Sequence, residues 1–136
     1  MSQEFEVSEP ADNARVVCGV RHMLAQMGFD KNTQYLIASA VSELGTNIIR
    51  YAGKGAVSIS DTNEGGGRVF TVVAKDSGPG IEDVRLALEE HFTTGQGLGL
   101  GLPSVRRIMD DFEVCSGKGQ GTTVVAKKWV SNRCTE

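Results

Sequence analysis

A glycine-rich stretch in the last third of the chain has the composition of a loop that wraps phosphate. It reads Gly95-Gln96-Gly97-Leu98-Gly99-Leu100-Gly101-Leu102-Pro103. Glycine lets a backbone approach a ligand closely, and proline is favoured in the first turn of a helix. A glycine loop that runs into a helix presents free N–H groups and a positive dipole end, which attract phosphate. We therefore predict a phosphate-binding loop rather than a flexible linker, which would be more polar.

Neither familiar glycine pattern fits this stretch. A P-loop ends in Gly-Lys-Ser/Thr, and no glycine run in the chain ends that way. The dinucleotide-binding pattern should follow an apolar strand, whereas residues 89–94 are typical of a helix end and a polar loop. The kind of phosphate site must therefore be inferred from the rest of the chain.

Glu43 and Asn47 form a second candidate group. They are four residues apart, so they lie on one face of a predicted helix. Each precedes an apolar residue of that helix, Leu44 or Ile48, which places the pair at the margin of the buried stripe. The pair is either solvated or points into a cleft. Gly45 between them costs about 1 kcal/mol relative to alanine, and either close approach of a neighbouring element or local weakness would account for it.

Asp76 is a third candidate, because it ends a predicted strand. The residues that follow are Ser77-Gly78-Pro79-Gly80-Ile81. An acidic residue at a strand end can face a ligand, but an ordinary turn explains it equally well.

The elements that would position these residues follow from apolar periodicity and turn signals. Helices are predicted over residues 11–27, 30–51, 83–92 and 103–110, and strands over 5–7, 56–60, 69–74, 112–114 and 122–129. We expect Asp12 or Asn13 to cap the first helix. The order of elements favours an α+β fold with a mixed, mostly antiparallel sheet and helices layered on one face.

Composition restricts the class of protein. A chain of 136 residues is expected to form a single domain over 1–136. The net charge of −3 argues against a nucleic-acid partner, and no apolar run approaches the roughly 20 residues that span a bilayer. The acidic start is no signal peptide, and Cys18, Cys115 and Cys134 fit neither a zinc nor a disulfide pattern. We expect free, mostly buried thiols and a cytoplasmic protein without membrane partners.

Four separate motifs need a common explanation: Glu43-x-x-x-Asn47, Asp76-x-Gly78-x-Gly80, Gly97-x-Gly99-x-Gly101 and Gly121-Thr122-Thr123. Their order along the chain resembles that of the conserved boxes of the GHKL, or Bergerat, ATP-binding fold of gyrase, Hsp90, histidine kinases and MutL. Within that family the chain is similar to the bacterial anti-sigma-factor serine/threonine kinases, especially those of stressosomes. That closer similarity is carried by residues 42–47, 51–55 and 97–103.

The resemblance implies a role for each candidate residue, with ATP and Mg²⁺ as ligands. Glu43 would accept the proton of an incoming hydroxyl, and Asn47 would coordinate Mg²⁺. Asp76 would accept the adenine N6 hydrogen, and Thr122 would hold a water beside it. The other nucleotide-binding positions implied are Gly78, Gly80, Ile81, Gly97, Leu98, Gly99, Leu100, Gly101 and Leu102.

The resemblance also implies a function. The chain would phosphorylate STAS-domain proteins and then engage a PP2C-type phosphatase. The alternative is a nucleotide-dependent anti-sigma adapter with negligible catalysis, which would need only the adenine pocket. A histidine kinase is disfavoured, because only ten residues precede the first predicted helix. Relatives often place a basic residue near the γ-phosphate, and here Arg85, Lys54 or a partner would have to supply it.

Overall fold

Five strands form one antiparallel sheet in the computed structural model, which describes residues 1–78, 101–117 and 119–131. The sheet order is β1-β2-β3-β5-β4. The strands are β1 (Ser2–Val7), β2 (Gly55–Glu64), β3 (Gly67–Asp76), β4 (Asp111–Ser116) and β5 (Thr122–Trp129). Each neighbouring pair is antiparallel, so the described sheet is wholly antiparallel, within the predicted class.

Three α-helices accompany the sheet in the described residues. They are α1 (Pro10–Met27), α2 (Lys31–Asn47) and α3 (Leu102–Ile108), and a π-helical turn over Ile48–Ala52 follows α2 directly. The helix predicted over 83–92 lies outside the described residues.

The start of α1 differs from the prediction. Glu9 is the N-cap, and the carboxylate of Asp12, three residues later, accepts hydrogen bonds from the N–H groups of Ser8 (2.9 Å) and Glu9 (3.2 Å). The bond from Ser8 is the main reason that the pKa of Asp12 is lowered. The prediction of Asp12 or Asn13 as N-cap was therefore wrong, because Pro10 already begins the helix. Asn13 is buried instead.

One apolar stripe fixes the rotation of α2. Asp30 caps the helix through Thr33 N–H at 2.7 Å. The predicted stripe is confirmed, since its four residues are at most 2% exposed: Ile37, Val41, Leu44 and Ile48. The prediction of a regular helix to residue 51 was wrong, because Gly53 N–H bonds to the Ile48 carbonyl at 2.8 Å. That five-residue spacing is a π turn, a feature often found near functional sites.

The core lies between the helices and one face of the sheet. Residues paired across strands share a face, and Val57, Ala74 and Val124 are paired in this way on the helix-covered side. Cys115 and Cys18 are free but exposed, so the expectation of buried thiols was wrong for both. Cys115 alternates with residues of edge strand β4 that face the helices, and it therefore points to the open side.

The described residues contain neither a membrane-spanning helix nor a cluster of metal ligands. No helix there is both long and apolar enough to cross a bilayer. No group of three His, Cys, Asp or Glu side chains in the same ranges is arranged to hold a metal ion.

The β2–β3 hairpin is braced by an ion pair with two hydrogen bonds. Arg68 donates from Nε to Asp61 Oδ1 at 2.9 Å and from Nη2 to Asp61 Oδ2 at 2.8 Å. These bonds, more than the neighbouring positive charges, lower the pKa of Asp61 below its ordinary value of 3.8. The carboxylate is therefore more stable in the folded than in the unfolded chain.

This pair should make stability depend on pH. Because its folded-state pKa is lowered, Asp61 stabilises the fold above about pH 4, and that contribution is lost as the pH falls through the folded-state pKa. We expect Asp61→Asn to lower the free energy of unfolding near pH 7 and to have a shrinking effect toward about pH 3. Urea unfolding at both pH values measures this, and Arg68→Gln should reproduce it. A deficit that is the same at both pH values would contradict the assignment.

Candidate functional site

Glu43 and Asn47 both reach the last glycine of the glycine-rich stretch. Both side chains are half-buried at the margin of α2, and α3 packs against that helix. A Cβ placed on Gly101 would lie 3.5 Å from Asn47 Nδ2 and 3.8 Å from Glu43 Oε2. The pair therefore faces the start of α3, which favours the cleft interpretation over a solvated pair.

Asp76 lies at a second centre, where three strands meet. Its strand partners are Gly55 in β2 and Thr122 in β5. Its Oδ1 accepts the Gly78 N–H at 2.8 Å, and Oδ2 has no hydrogen bond within the described part of the chain. This half-buried carboxylate is thus held by its own loop and keeps one oxygen for another donor.

The backbone around Asp76 is packed so closely that a side chain could not fit at Gly121. A Cβ there would lie 3.0 Å from Ser77 Cα and closer still to the Asp76 carbonyl oxygen. Gly121 also has φ of +78°, in the left-handed region that favours glycine. The start of β5 therefore packs directly against the backbone of Asp76 and Ser77.

The π turn links the Glu43–Asn47 pair to the surroundings of Asp76. A Cβ on Gly78 would lie 2.6 Å from Ala52 Cβ, and one on Gly55 would lie 3.0 Å from Ile48 Cγ2. The turn that follows Asn47 therefore packs against the loop after Asp76 and against Gly55, the partner of Asp76 in β2. Sequence patterns did not predict this contact, although the small residues at 52, 55 and 78 are a signal of close packing.

Thr122 is held by a neighbour that sequence analysis missed. Its hydroxyl lies 2.9 Å from that of Ser116, and Ser116 Oγ donates to the Gly121 carbonyl at 2.8 Å. Ser116 ends β4 directly opposite Thr122, so hydroxyls on either side of the glycine-rich segment between the last two predicted strands were the available signal.

Several predicted site residues cannot be placed. Six of the predicted nucleotide-binding residues lie outside the described residues: Gly80, Ile81, Gly97, Leu98, Gly99 and Leu100. Arg85, a candidate for contact with the γ-phosphate, lies outside them as well. Leu102 begins α3 with its side chain 8% exposed, in the core. Only its main chain could therefore contribute to a phosphate site, and the ligand-binding roles of all these residues stay predictions.

The described side chains fit a magnesium nucleotide chemically. Asn47 offers a carboxamide oxygen beside the carboxylate of Glu43, and oxygen ligands of this kind suit Mg²⁺. Asp76 offers an acceptor to an exocyclic amine, and the bare Gly101 leaves room next to Asn47. If Mg²⁺ were bound, Asn47 would be its side-chain ligand, and the ion would neutralise phosphate charge.

Comparison with known proteins indicates the family of the chain. Residues 7–128 match the histidine kinase-like ATPase domain. The serine/threonine-protein kinase RsbT of Bacillus subtilis strain 168 is 43% identical over 110 residues, which cover 81% of this chain and 83% of that protein. An anti-sigma F factor of Thermoanaerobacter sp. strain X514 is 33% identical over 100 residues, which cover 71% of this chain and 70% of that factor.

Solved structures agree on the fold. The crystal structure of the RsbU and RsbW domains of a Mycobacterium tuberculosis protein matches with a TM-score of 0.65 and 18% identity, over 94% of this chain and 31% of that one. The mycobacterial sensor histidine kinase MprB matches with a TM-score of 0.58 and 18% identity, over 95% and 97% of the two chains. The predicted GHKL α+β fold is therefore confirmed. The chain belongs to the histidine kinase-like ATPase domain family and groups there with serine/threonine-protein kinases and anti-sigma factors.

Proposed function

We propose that this chain is a protein serine/threonine kinase of a bacterial partner-switching module. It transfers the γ-phosphoryl group of ATP to a serine or threonine of a STAS-domain protein. The observation that carries the proposal is the meeting of Glu43, Asn47 and Gly101 at the start of α3. Similarity to a protein named as a serine/threonine kinase, over most of both chains, supports the same activity.

Asp76 binds the adenine in this proposal. Its Oδ2 accepts a hydrogen from the N6 amine, while Oδ1 remains bonded to the Gly78 N–H. Guanine carries a carbonyl at that position and would repel the carboxylate, so the site selects ATP over GTP. Thr122 holds a water at the same edge, beside Ser116.

Glu43 is the base of the transfer step. The substrate hydroxyl oxygen forms a bond to the γ-phosphorus, the bond to the β-phosphate oxygen breaks, and ADP leaves. The hydroxyl proton passes to the Glu43 carboxylate. Since phosphoryl transfer depends on positioning and charge stabilisation, a base fixed one helical turn from Asn47 suffices.

A second candidate function is a nucleotide-dependent adapter that binds a sigma factor without catalysis. Relatives that are named anti-sigma factors favour it. An adapter needs the Asp76 pocket alone, whereas this chain also has Glu43 directed toward the same glycine as Asn47. Transfer of labelled phosphate above background separates the two functions.

Asp76→Asn should weaken nucleotide binding. The amide can turn its NH₂ group toward the adenine amine, so a charged hydrogen bond worth about 1.5–3 kcal/mol is lost, and the Kd for ADP should rise about 10- to 100-fold. Isothermal titration calorimetry measures this. Asp111→Asn, a neutralised carboxylate on edge strand β4, is the matched control and should bind like the wild type. Equal affinity of Asp76→Asn and wild type would refute the adenine assignment.

Glu43→Gln should slow transfer strongly while nucleotide still binds. Loss of a positioned base costs about 10²–10⁴ in rate, and glutamine keeps the shape of the side chain. The assay combines γ-phosphate-labelled ATP, the kinase and a STAS-domain protein from the same organism, with the labelled residue then identified.

Asn47→Ala is the comparison for that assay. It should lose the Mg²⁺-dependent part of ATP affinity, which Glu43→Gln retains, because the two side chains have different roles. If Glu43→Gln labels the STAS protein as fast as the wild type, Glu43 is not the base.

The partner-switching proposal extends to a phosphatase. Once its STAS partner is phosphorylated, the kinase is free to bind and activate a PP2C-type phosphatase. We expect added wild-type protein to raise the rate at which such a phosphatase dephosphorylates a phosphorylated STAS protein. Adding unphosphorylated STAS protein should reverse the effect by competition. If neither addition changes the phosphatase rate, the proposal that the kinase activates a phosphatase is wrong.

A further inference from the structure

Asn13 is an unusual residue at the contact between α1 and α2. Among the described residues it is the one buried polar side chain, with 9% exposed. The other buried residues of α1 are apolar, beginning with Val16 and Val20. A polar group that is buried in such a contact costs stability unless it is hydrogen-bonded.

The Asn13 amide bonds to α2 next to the proposed catalytic pair. Nδ2 donates to the Ser42 carbonyl at 3.1 Å and lies 3.4 Å from Thr46 Oγ1. The Ser42 carbonyl belongs to the peptide group that joins Ser42 to Glu43, and Thr46 directly precedes Asn47. The amide thus contacts the backbone or side chain immediately before each residue of the pair.

Gly45 has no side chain because Asn13 occupies the space. A Cβ on Gly45 would lie 2.7 Å from Asn13 Cγ and closer still to Oδ1. Close approach of a neighbouring element therefore accounts for the glycine, and the element is this side chain.

The amide orientation is set by its surroundings. Oδ1 has no hydrogen-bond partner within the described residues. Exchanging oxygen and nitrogen would place a carbonyl oxygen against the Ser42 carbonyl, which is worse. The contact between the two helices therefore has two costs. One is a buried acceptor without a hydrogen bond, and the other is a glycine in the middle of a helix.

We propose that Asn13 is a positioning residue for phosphoryl transfer. Within the orientation that the apolar stripe gives to α2, the Asn13 amide fixes the remaining freedom in rotation and axial position of residues 42–47, and so directs Glu43 and Asn47 toward Gly101. Single buried asparagines fix helix register in coiled coils at a cost in stability. This inference rests on the proposed kinase function.

The test replaces the amide by an apolar group of similar size. Asn13→Leu keeps the packing and removes the hydrogen bonds, so we expect its melting temperature to stay close to that of the wild type. Transfer should slow about 10- to 100-fold, because small misplacements of catalytic groups have effects of this size. The Mg²⁺-dependent part of ATP affinity should fall as well, while metal-free ADP affinity, which depends on Asp76, should not change.

Asn32→Leu is the matched control. Asn32 is exposed near the start of α2, so this variant should transfer phosphate at the wild-type rate. Wild-type transfer and Mg²⁺ dependence in Asn13→Leu would overturn the proposal.

A second set of variants keeps the test decisive if Asn13→Leu is unstable. Gly45→Ala alone should be strongly destabilised by the clash, whereas Asn13→Ala/Gly45→Ala should melt above Asn13→Ala, because the new methyl group fills the space and favours the helix. We expect the double variant to regain stability but not transfer rate. Recovery of both would show that Asn13 serves packing only.

Failure of this inference can be told from failure of the kinase proposal. If the wild type shows no Mg²⁺-dependent ATP affinity and no transfer, the kinase proposal is wrong and the positioning role falls with it. If the wild type shows both and Asn13→Leu shows them equally, the kinase proposal stands and the positioning role is wrong.

Discussion

The burial of one stripe of α2 is the constraint on which the rest of the site depends. Leu44 and Ile48 are each 2% exposed, so the helix cannot rotate without moving apolar surface into water. Burial of each such side chain is worth about 1.5–3 kcal/mol. Glu43 and Asn47 precede these two residues, and the same rotation holds both at the half-buried margin of the helix. Core packing thus determines which side of the helix carries the polar pair.

Strand register fixes the positions of two further described site residues, Asp76 and Thr122. Asp76 and Thr122 are far apart in sequence but directly paired at the ends of β3 and β5. A slip by one residue would turn every side chain of β5 to the other face, which would move Val124 and Ala126 out of the core and turn Lys127 toward it. The hydrophobic pattern therefore protects the pairing, and Gly121 permits the close approach that the pairing requires.

The features set by local patterns could be predicted from the sequence. The apolar stripe of α2, the end of α1 at Gly28 and the hairpin of β2 and β3 are all present. The π turn, with its hydrogen bond from Gly53 to Ile48, was missed because the turn packs against residues far along the chain, such as Gly78. The exposed cysteines were missed because residue type alone does not say which face of a helix, for Cys18, or of an edge strand, for Cys115, is turned to solvent.

The Asn13–Gly45 contact shows where sequence reasoning stops and why. Gly45 alone was recognisably out of place in a helix, but its partner is 32 residues away, and no periodicity links the two positions. A long-range contact leaves only a local anomaly at each end, here a glycine in α2 and a buried amide in α1. An apolar pair, such as leucine facing alanine, would satisfy both helices with no unsatisfied oxygen. Stability alone therefore does not explain this choice of residues, and the peptide group next to Glu43 is the part of the molecule that gains from it.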